Sequence, residues 1–356
     1  MMKNRFKAAD IIPFISFVAI FVFFTIASKG AMLSAFNLSI ILDQSMITII
    51  VGCGVLFVIA QGSTDMTIGV NLGLSGVLAV HVGLAIGHPW AMLPLACIFG
   101  LIVGIINGFL VAKCKVPSFM LSIAELIGIR GLINYIQTVI SAEYITNEMR
   151  VLNTSAVKIP MFIAIVVIMI YIFEFTKIGR YSRAIGENET TARFVGVPVD
   201  LMKITAFALS GLCAGYASIL AVAQINGTNM QMGVFLEMKT VMAIFFGGVL
   251  VTGGASAKIY KVFLGALSIQ IIINGLGLIG KSATQIQQSV EGVLLLLVLF
   301  ITMMASRGRK IKPKEIEEEE KQQFRAETFS FSPGIKIQVR FSGPVFFKHK
   351  IGRAHV

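Results

Sequence analysis

Long apolar runs separated by short polar breaks dominate the chain. They cover 11–27, 44–60, 66–87, 90–111, 117–140, 159–176, 204–224, 237–252, 259–280 and 286–305. At 1.5 Å per residue, most of these runs can cross a hydrocarbon core of about 30 Å as an α-helix. The run at 237–252 is short, which predicts a tilted or broken helix. The pattern therefore predicts an all-α integral membrane fold, a polytopic bundle of about ten transmembrane helices.

The basic residues fix an orientation for this bundle. With Lys3, Arg5 and Lys7 placed inside and the spans alternating, Lys113 and Lys115 fall inside. So do Lys177, Arg180, Arg183, Arg193 and Lys203, then Lys258 and Lys261, then Arg307, Arg309, Lys310, Lys312 and Lys314. The outside receives Lys29, Arg150, Lys158, Lys281 and Lys239. Cytoplasmic loops carry such an excess of Lys and Arg, so both termini are expected to be cytoplasmic. The first run has the basic flank of a signal peptide, but it is long and lacks a small-x-small cleavage site, so it is expected to remain as the first helix. The organisation expected is a cytoplasmic N-terminus at 1–10, a transmembrane domain at 11–305 and a cytoplasmic tail at 306–356. That tail carries a solvated acidic run, Glu317 to Glu320, and then loses any helical period. Its last residues, 350–356, read as one translated frame of a sequencing adapter and are left out of fold reasoning.

Composition agrees with a lipid environment. The chain is 56% hydrophobic and only 13% charged, with a mean hydropathy of +0.85, whereas a soluble domain is roughly a quarter charged. The net charge of +12 does not point to nucleic acid, because the basic residues cluster at the ends of apolar runs. Cys53, Cys97, Cys114 and Cys213 are scattered, mostly within apolar segments, with neither disulfide nor metal-ligand spacing. No metal or other cofactor is expected, and no nucleophile–base pair marks a catalytic centre.

The longest cytoplasmic loop, 177–203, is the most informative stretch. Asn188 suits an N-cap, Glu189 lies where the helix dipole favours an acid, and Gly196 suits the C′ position before Pro198 prevents continuation. A short amphipathic helix of about two turns is expected here. Being marginal alone, it either packs on its own chain or fills a groove on a partner.

Ala184, Gly186, Asn188, Ala192 and Gly196 resemble the coupling loop of ribose-type permeases of ATP-binding-cassette (ABC) importers. The resemblance extends to Ser210 and Gly211, to Phe246, Gly247 and Gly248, to Gly253 and Gly254, and to Asn274, Gly275 and Leu276. Earlier in the chain, Gly62 through Asp65 to Gly69 is similar to the family's Gly-x-x-Asp-Leu-Ser-Val-Gly, and Val116 to Phe119 with Arg130 and Gly131 match as well. Together these cover most of 62–300 in order. Lys239 stands where an acidic residue is expected after Glu237, and Ala255 to Lys258 replace a more Gly/Arg-rich turn.

The resemblance implies a transport subunit rather than an enzyme, forming the membrane path for a simple sugar. It implies two cytoplasmic ATPase subunits, an external solute-binding protein, a second permease chain and the lipid of a bacterial plasma membrane as partners. Ala184, Gly186, Asn188, Glu189, Ala192, Arg193 and Gly196 would contact the ATPase. Allied permeases carry nucleosides or branched-chain amino acids, and an ion-coupled secondary transporter is the rival of another class.

Asp65, between two apolar runs and flanked by Gly62 and Gly69, suggests a break in helix at or near the membrane surface. Such backbone is tolerated only where protein or water covers it, and a plain cytoplasmic turn is the alternative. Glu125 and Arg130 lie inside the fifth span, where charges usually face a bundle interior or an aqueous path. Five residues apart, they do not share the i,i+4 face that would pair them. With Glu237 and Gly69, these form the candidate pathway or gating set. Gly100, Gly104 and Gly108 repeat along one face of the fourth span, and Gly211 and Gly215 along the seventh, as sites of close helix packing. Residues 275–282 satisfy the P-loop expression G-x4-G-K-S, but an apolar helix precedes them and Lys281 is placed outside, so no nucleotide site is expected.

Overall fold

The computed structural model describes residues 8–140 and 143–280, with isolated positions between 286 and 300. Among the described residues, eleven α-helices have defined bounds: α1 (Ala8–Ala27), α2 (Ala35–Ala60), α3 (Ile68–Ala85), α4 (Met92–Ala112), α5 (Ser118–Val139), α6 (Ser155–Ile170), α7 (Lys177–Glu187), α8 (Glu189–Phe194), α9 (Val199–Ile225), α10 (Leu236–Phe246) and α11 (Ile259–Leu278). Among the described residues no strand forms beyond a single antiparallel bridge, Tyr144 with Gly227. Seven segments among the described residues are long and apolar enough to cross a membrane: Ala35–Ala60, Ile68–Ala85, Pro89–Ala112, Ser118–Val139, Ser155–Phe175, Val199–Ile225 and Ile259–Leu278. The chain is an all-α, multi-pass membrane protein.

The remaining apolar runs behave differently. The first forms α1, whose apolar part is the shorter Pro13–Ala27. The eighth, expected to be short or broken, holds only α10, with 11 residues, or about 16 Å at the α-helical rise and half of a hydrocarbon core. The tenth, 286–305, falls largely outside the described residues, as does the tail at 306–356. Helix α2 begins well before the expected residue 44, because the Ser34 hydroxyl accepts from the Asn37 backbone N–H at 3.3 Å and caps the helix there.

Two helices occupy the loop at 177–203 where one is expected. Helix α6 runs into a π-turn at Tyr171–Phe175, and the Thr176 hydroxyl then caps α7 by accepting from Ile178 N at 3.2 Å. Gly179 and Gly186 argue against a helix by propensity, yet both sit where the chain runs against other backbone. A Cβ at Gly186 would meet the Ala60 carbonyl oxygen, with Gly254 N at 2.6 Å. Tertiary approach overrides propensity here.

Helix α2 is the centre of the bundle, buried continuously from residue 48 through Gln61. The glycine stripes of α4 and α9 face each other. A Cβ at Gly100 would lie 2.8 Å from the Gly215 Cα, and one at Gly211 would lie 2.9 Å from the Gly104 Cα. Gly108 meets the Ile204 Cα at 2.7 Å in the same way. The two stripes, legible separately in the sequence, are one interface. Gly275 and Gly277 of the P-loop-like pattern lie within α11 rather than in a loop after a strand; Lys281 and Ser282 lie outside the described residues.

Candidate functional site

The knob formed by α7 and α8 is built locally. The Asn188 side chain accepts from Thr191 N at 2.8 Å, which caps α8 as expected. Gly196 adopts φ +85° and ends the helix, with Val197 N reaching back to Ala192 O at 3.0 Å. Lys203 Nζ donates to Glu189 Oε2 at 2.7 Å, and Arg193 Nη2 reaches Asp200 Oδ1 at 3.1 Å and Glu189 Oε1 at 3.5 Å. The Lys203 hydrogen bond holds the Glu189 carboxyl below the usual carboxylate range. The pair therefore supports the knob above the ordinary carboxylate titration and is lost only as pH falls through the lowered value.

Of the residues expected at a partner contact, Asn188, Glu189, Arg193 and Gly196 are exposed, whereas Ala192 is not. Ala192 is only 3% exposed and packs against Ile185, Val197, Val199 and Met202 of its own chain. Its small size serves internal packing, so a bulky residue there would disturb the knob itself. Gly186 and the Ala184 carbonyl, which accepts from Asn188 N at 3.2 Å, likewise serve the chain's own folding. The outward apolar face is instead Phe194, 87% exposed, and Val195, 74% exposed. The signal that could have found them was two adjacent large apolar residues in a polar loop.

The second feature is the break between α2 and α3. After Gly62 (φ +74°) the chain turns back into the bundle, and Asp65 becomes 2% exposed. Its Oδ1 accepts from Thr67 N at 2.9 Å and Thr67 Oγ1 at 2.6 Å, and its Oδ2 accepts from Ser210 Oγ at 2.7 Å. Ser210 lies about 16 Å along α9 from its start, by the helical rise. The break is therefore covered by protein and is not a surface turn. Asn107 Nδ2 extends the network to Thr67 Oγ1 at 3.1 Å, and Asn71 Nδ2 donates to Gly100 O at 3.2 Å.

Helices α3 and α10 both start beside this break. Gly69, in the first turn of α3, touches the Gly233 backbone and the Glu237 carboxylate, so that a Cβ on either glycine would collide. Gly233 has φ +72° as well. Arg130 Nη1 donates to Met230 O at 3.2 Å and Met232 O at 2.8 Å, binding the segment before α10 to α5. It also lies within electrostatic reach of Glu237. Glu125 faces the Asn107 amide and senses Asp65. Glu125 and Arg130 thus find separate neighbours, as their spacing required.

The candidate pathway residues Asp65, Gly69, Glu125, Arg130 and Glu237 are gathered around one helix start, while the capped knob stands apart from them. Among the described residues, Glu125 Oε2, Asn107 Oδ1 and Glu237 Oε2 are buried without a hydrogen-bond partner. Buried acceptors of this kind are costly unless filled, and O–H donors of water or of a hydroxyl-bearing solute suit them.

A family described as branched-chain amino acid transport system / permease component matches residues 37–303. The chain is 28% identical to the xylose transport system permease protein of Haemophilus influenzae, over 83% of this chain and 97% of that one. It is 29% identical to the ribose import permease protein of Escherichia coli, over 74% and 85% respectively. It is 26% identical to the fructose import permease protein of Rhizobium meliloti, over 76% and 78%. No solved structure matches. Because the family match runs from the start of α2 past the end of α11, it takes in the buried break, the capped knob and the glycine interface alike, and the chain belongs to this family of ABC-transporter permease subunits, which are not themselves enzymes.

Proposed function

We propose that this chain forms the membrane path of an ABC importer for a simple sugar, driven by ATPase subunits that dock on Phe194 and Val195. The observation that carries this reading is the exposure of those two side chains on a rigidly capped helix. A solvated surface helix has no reason to present a phenylalanine outward, whereas an aromatic anchor is what a groove on a partner selects. The sugar substrate rests on the names of the relatives and on the site's chemistry. Among the described residues, Glu125 and Glu237 each hold a buried carboxylate oxygen without a partner, and such acceptors suit the hydroxyls of a sugar.

The path lies between two copies of the chain, along α5. This helix is the least apolar of the seven candidate spans and also the least buried within its own chain. It presents Tyr135, Asn134 and Thr138 outward, with Glu125 and Arg130 half-buried. Lipid is a poor solvent for that face, and a second copy surrounding an aqueous path is a good one. An external solute-binding protein delivers the sugar, and ten spans in a bacterial plasma membrane leave both termini cytoplasmic.

The test is Phe194→Asp in the assembled transporter. An anchor residue of this kind is worth about 2 kcal/mol or more, so ATPase retention and uptake of labelled xylose or ribose should fall by roughly thirtyfold while permease abundance is unchanged. Normal ATPase retention would sink the docking reading. Uptake that survives ATP depletion but stops when the ion gradient is collapsed would establish a secondary transporter, and saturable uptake of leucine but of no sugar would move the substrate to amino acids.

Orientation is open to a separate measurement. Single cysteines at Lys29 and Asn229 should react with an impermeant thiol reagent in whole cells, while one at Thr190 should react only after the cells are opened. Labelling at Thr190 from outside would reverse the topology.

A further inference from the structure

We infer that Gln61 is the positioning residue through which the cytoplasmic knob moves the buried break at Asp65. This inference rests on the importer reading above. Gln61 is the C-cap of α2, directly after that helix's continuously buried stretch, and is 6% exposed. Its Nε2 donates to Ser182 Oγ on α7 at 3.0 Å and to Met202 O on α9 at 2.9 Å. Helices α7 and α9 are the two that flank α8. One amide therefore fastens both supports of the docking helix to the end of α2.

From Gln61 the chain is short and directed. Gly62 makes the turn, and Asp65 is then locked to Thr67 at the start of α3 and to Ser210 on α9. A displacement of α7 relative to α9 cannot leave both Gln61 bonds intact while Gln61 stays in place. It must either break one of them or shift the 61–67 segment, and with it the first turn of α3. That turn carries Gly69 against Gly233 and Glu237, so the shift reaches the α10 start as well. A second tie keeps α7 from sliding freely: Glu187 Oε1 accepts from Ala255 N at 2.7 Å, in the turn before α11. The knob's motion is thereby channelled into the break. A two-position element biased by ATP at one end and by solute at the other is what coupling requires.

The probe is Gln61→Leu in the complete complex of permease, ATPase and binding protein, reconstituted in liposomes. Leucine fills similar volume and removes both donors. ATPase co-purification and sugar-stimulated ATP hydrolysis should stay within about twofold of wild type, while sugar moved per ATP falls at least tenfold. A merely structural glutamine would lower abundance, hydrolysis and uptake in proportion, and that outcome overturns the inference, as does an unchanged ratio. Should Gln61→Leu fail to accumulate, Ser182→Ala removes the α7 bond alone and is expected to lower sugar per ATP about threefold at normal hydrolysis; a wild-type ratio there overturns the inference. Failure of the wild-type chain to retain any ATPase is a different result, and it removes the importer reading itself.

Discussion

Asp65→Ala is expected to remove the folded protein from the membrane, not merely to slow it. The substitution withdraws one acceptor group from three donors, Thr67 N, Thr67 Oγ1 and Ser210 Oγ. The two hydroxyls can turn to other acceptors, but the Thr67 N–H is fixed by the helix start and has nowhere to go. Hydrogen bonds to a charged group contribute about 1.5–3 kcal/mol each, and an orphaned buried donor costs about 1–3 kcal/mol. Even after subtracting the benefit of removing a buried charge, the loss is of order 4 kcal/mol, a large part of a typical stability of about 5–15 kcal/mol. Asp65→Asn retains one acceptor oxygen and the shape, so it should accumulate at a reduced melting temperature. The measurement is membrane abundance and size-exclusion behaviour in detergent for both variants. Full accumulation of Asp65→Ala with uptake abolished would move Asp65 from holding the fold to contacting the transported solute.

What could be read from the sequence divides along the range of the interaction. Asn188 and Gly196 were legible because capping and a left-handed turn are decided within a few residues. The apolar runs were legible for the same reason, although Ser34, a weak signal in a mixed stretch, moved the start of α2 by most of three turns. The glycine stripes announced close packing, but which stripe met which depends on register between α4 and α9, and that is not written locally. Ala192 shows the ambiguity most clearly, because a small residue fits a tight contact with a partner and a tight contact with its own chain equally well. Gln61 carried no signal. A glutamine at the end of an apolar run reads as a helix terminus at water, and only the return of the chain beneath it makes its amide a bridge.

The five polar and glycine positions taken as the pathway set were found one by one, through charge at depth or glycine beside a break. Their convergence on the starts of α3 and α10 was not legible, because it depends on the chain folding back at Gly62 and again at Gly233. Both turns need φ near +70°, which glycine adopts freely. The sequence shows a glycine at each, but many glycines here serve packing instead, and nothing local separates the two uses.

The packing use makes the sharpest prediction, which compares one substitution at two sites. Gly104→Ala and Gly128→Ala both place a methyl group in the middle of a long membrane helix. By helix propensity each gains about 1 kcal/mol. At Gly128, on α5, no atom of the described chain lies within 4 Å of the new Cβ, so the gain stands. At Gly104 the new Cβ collides with the Phe207 carbonyl oxygen and sits 3.1 Å from the Ala208 Cα. These are backbone atoms of α9, which cannot turn aside as a side chain can. The helices must separate, and the neighbouring contacts at Gly100, Gly211 and Gly215 open with them. Within lipid no hydrophobic force opposes that separation, because association rests on close van der Waals contact itself. Overpacking of a relaxable core costs about 1–3 kcal/mol, and a rigid backbone contact belongs at or above the top of that range. Thermal unfolding of the permease in detergent should therefore show Gly128→Ala at or slightly above the wild-type midpoint and Gly104→Ala well below it, with Gly104→Leu failing to yield a monodisperse protein. Equal midpoints for the two alanine variants would mean that α4 and α9 are not in backbone contact along this stripe, and the central interface of the fold would have to be redrawn.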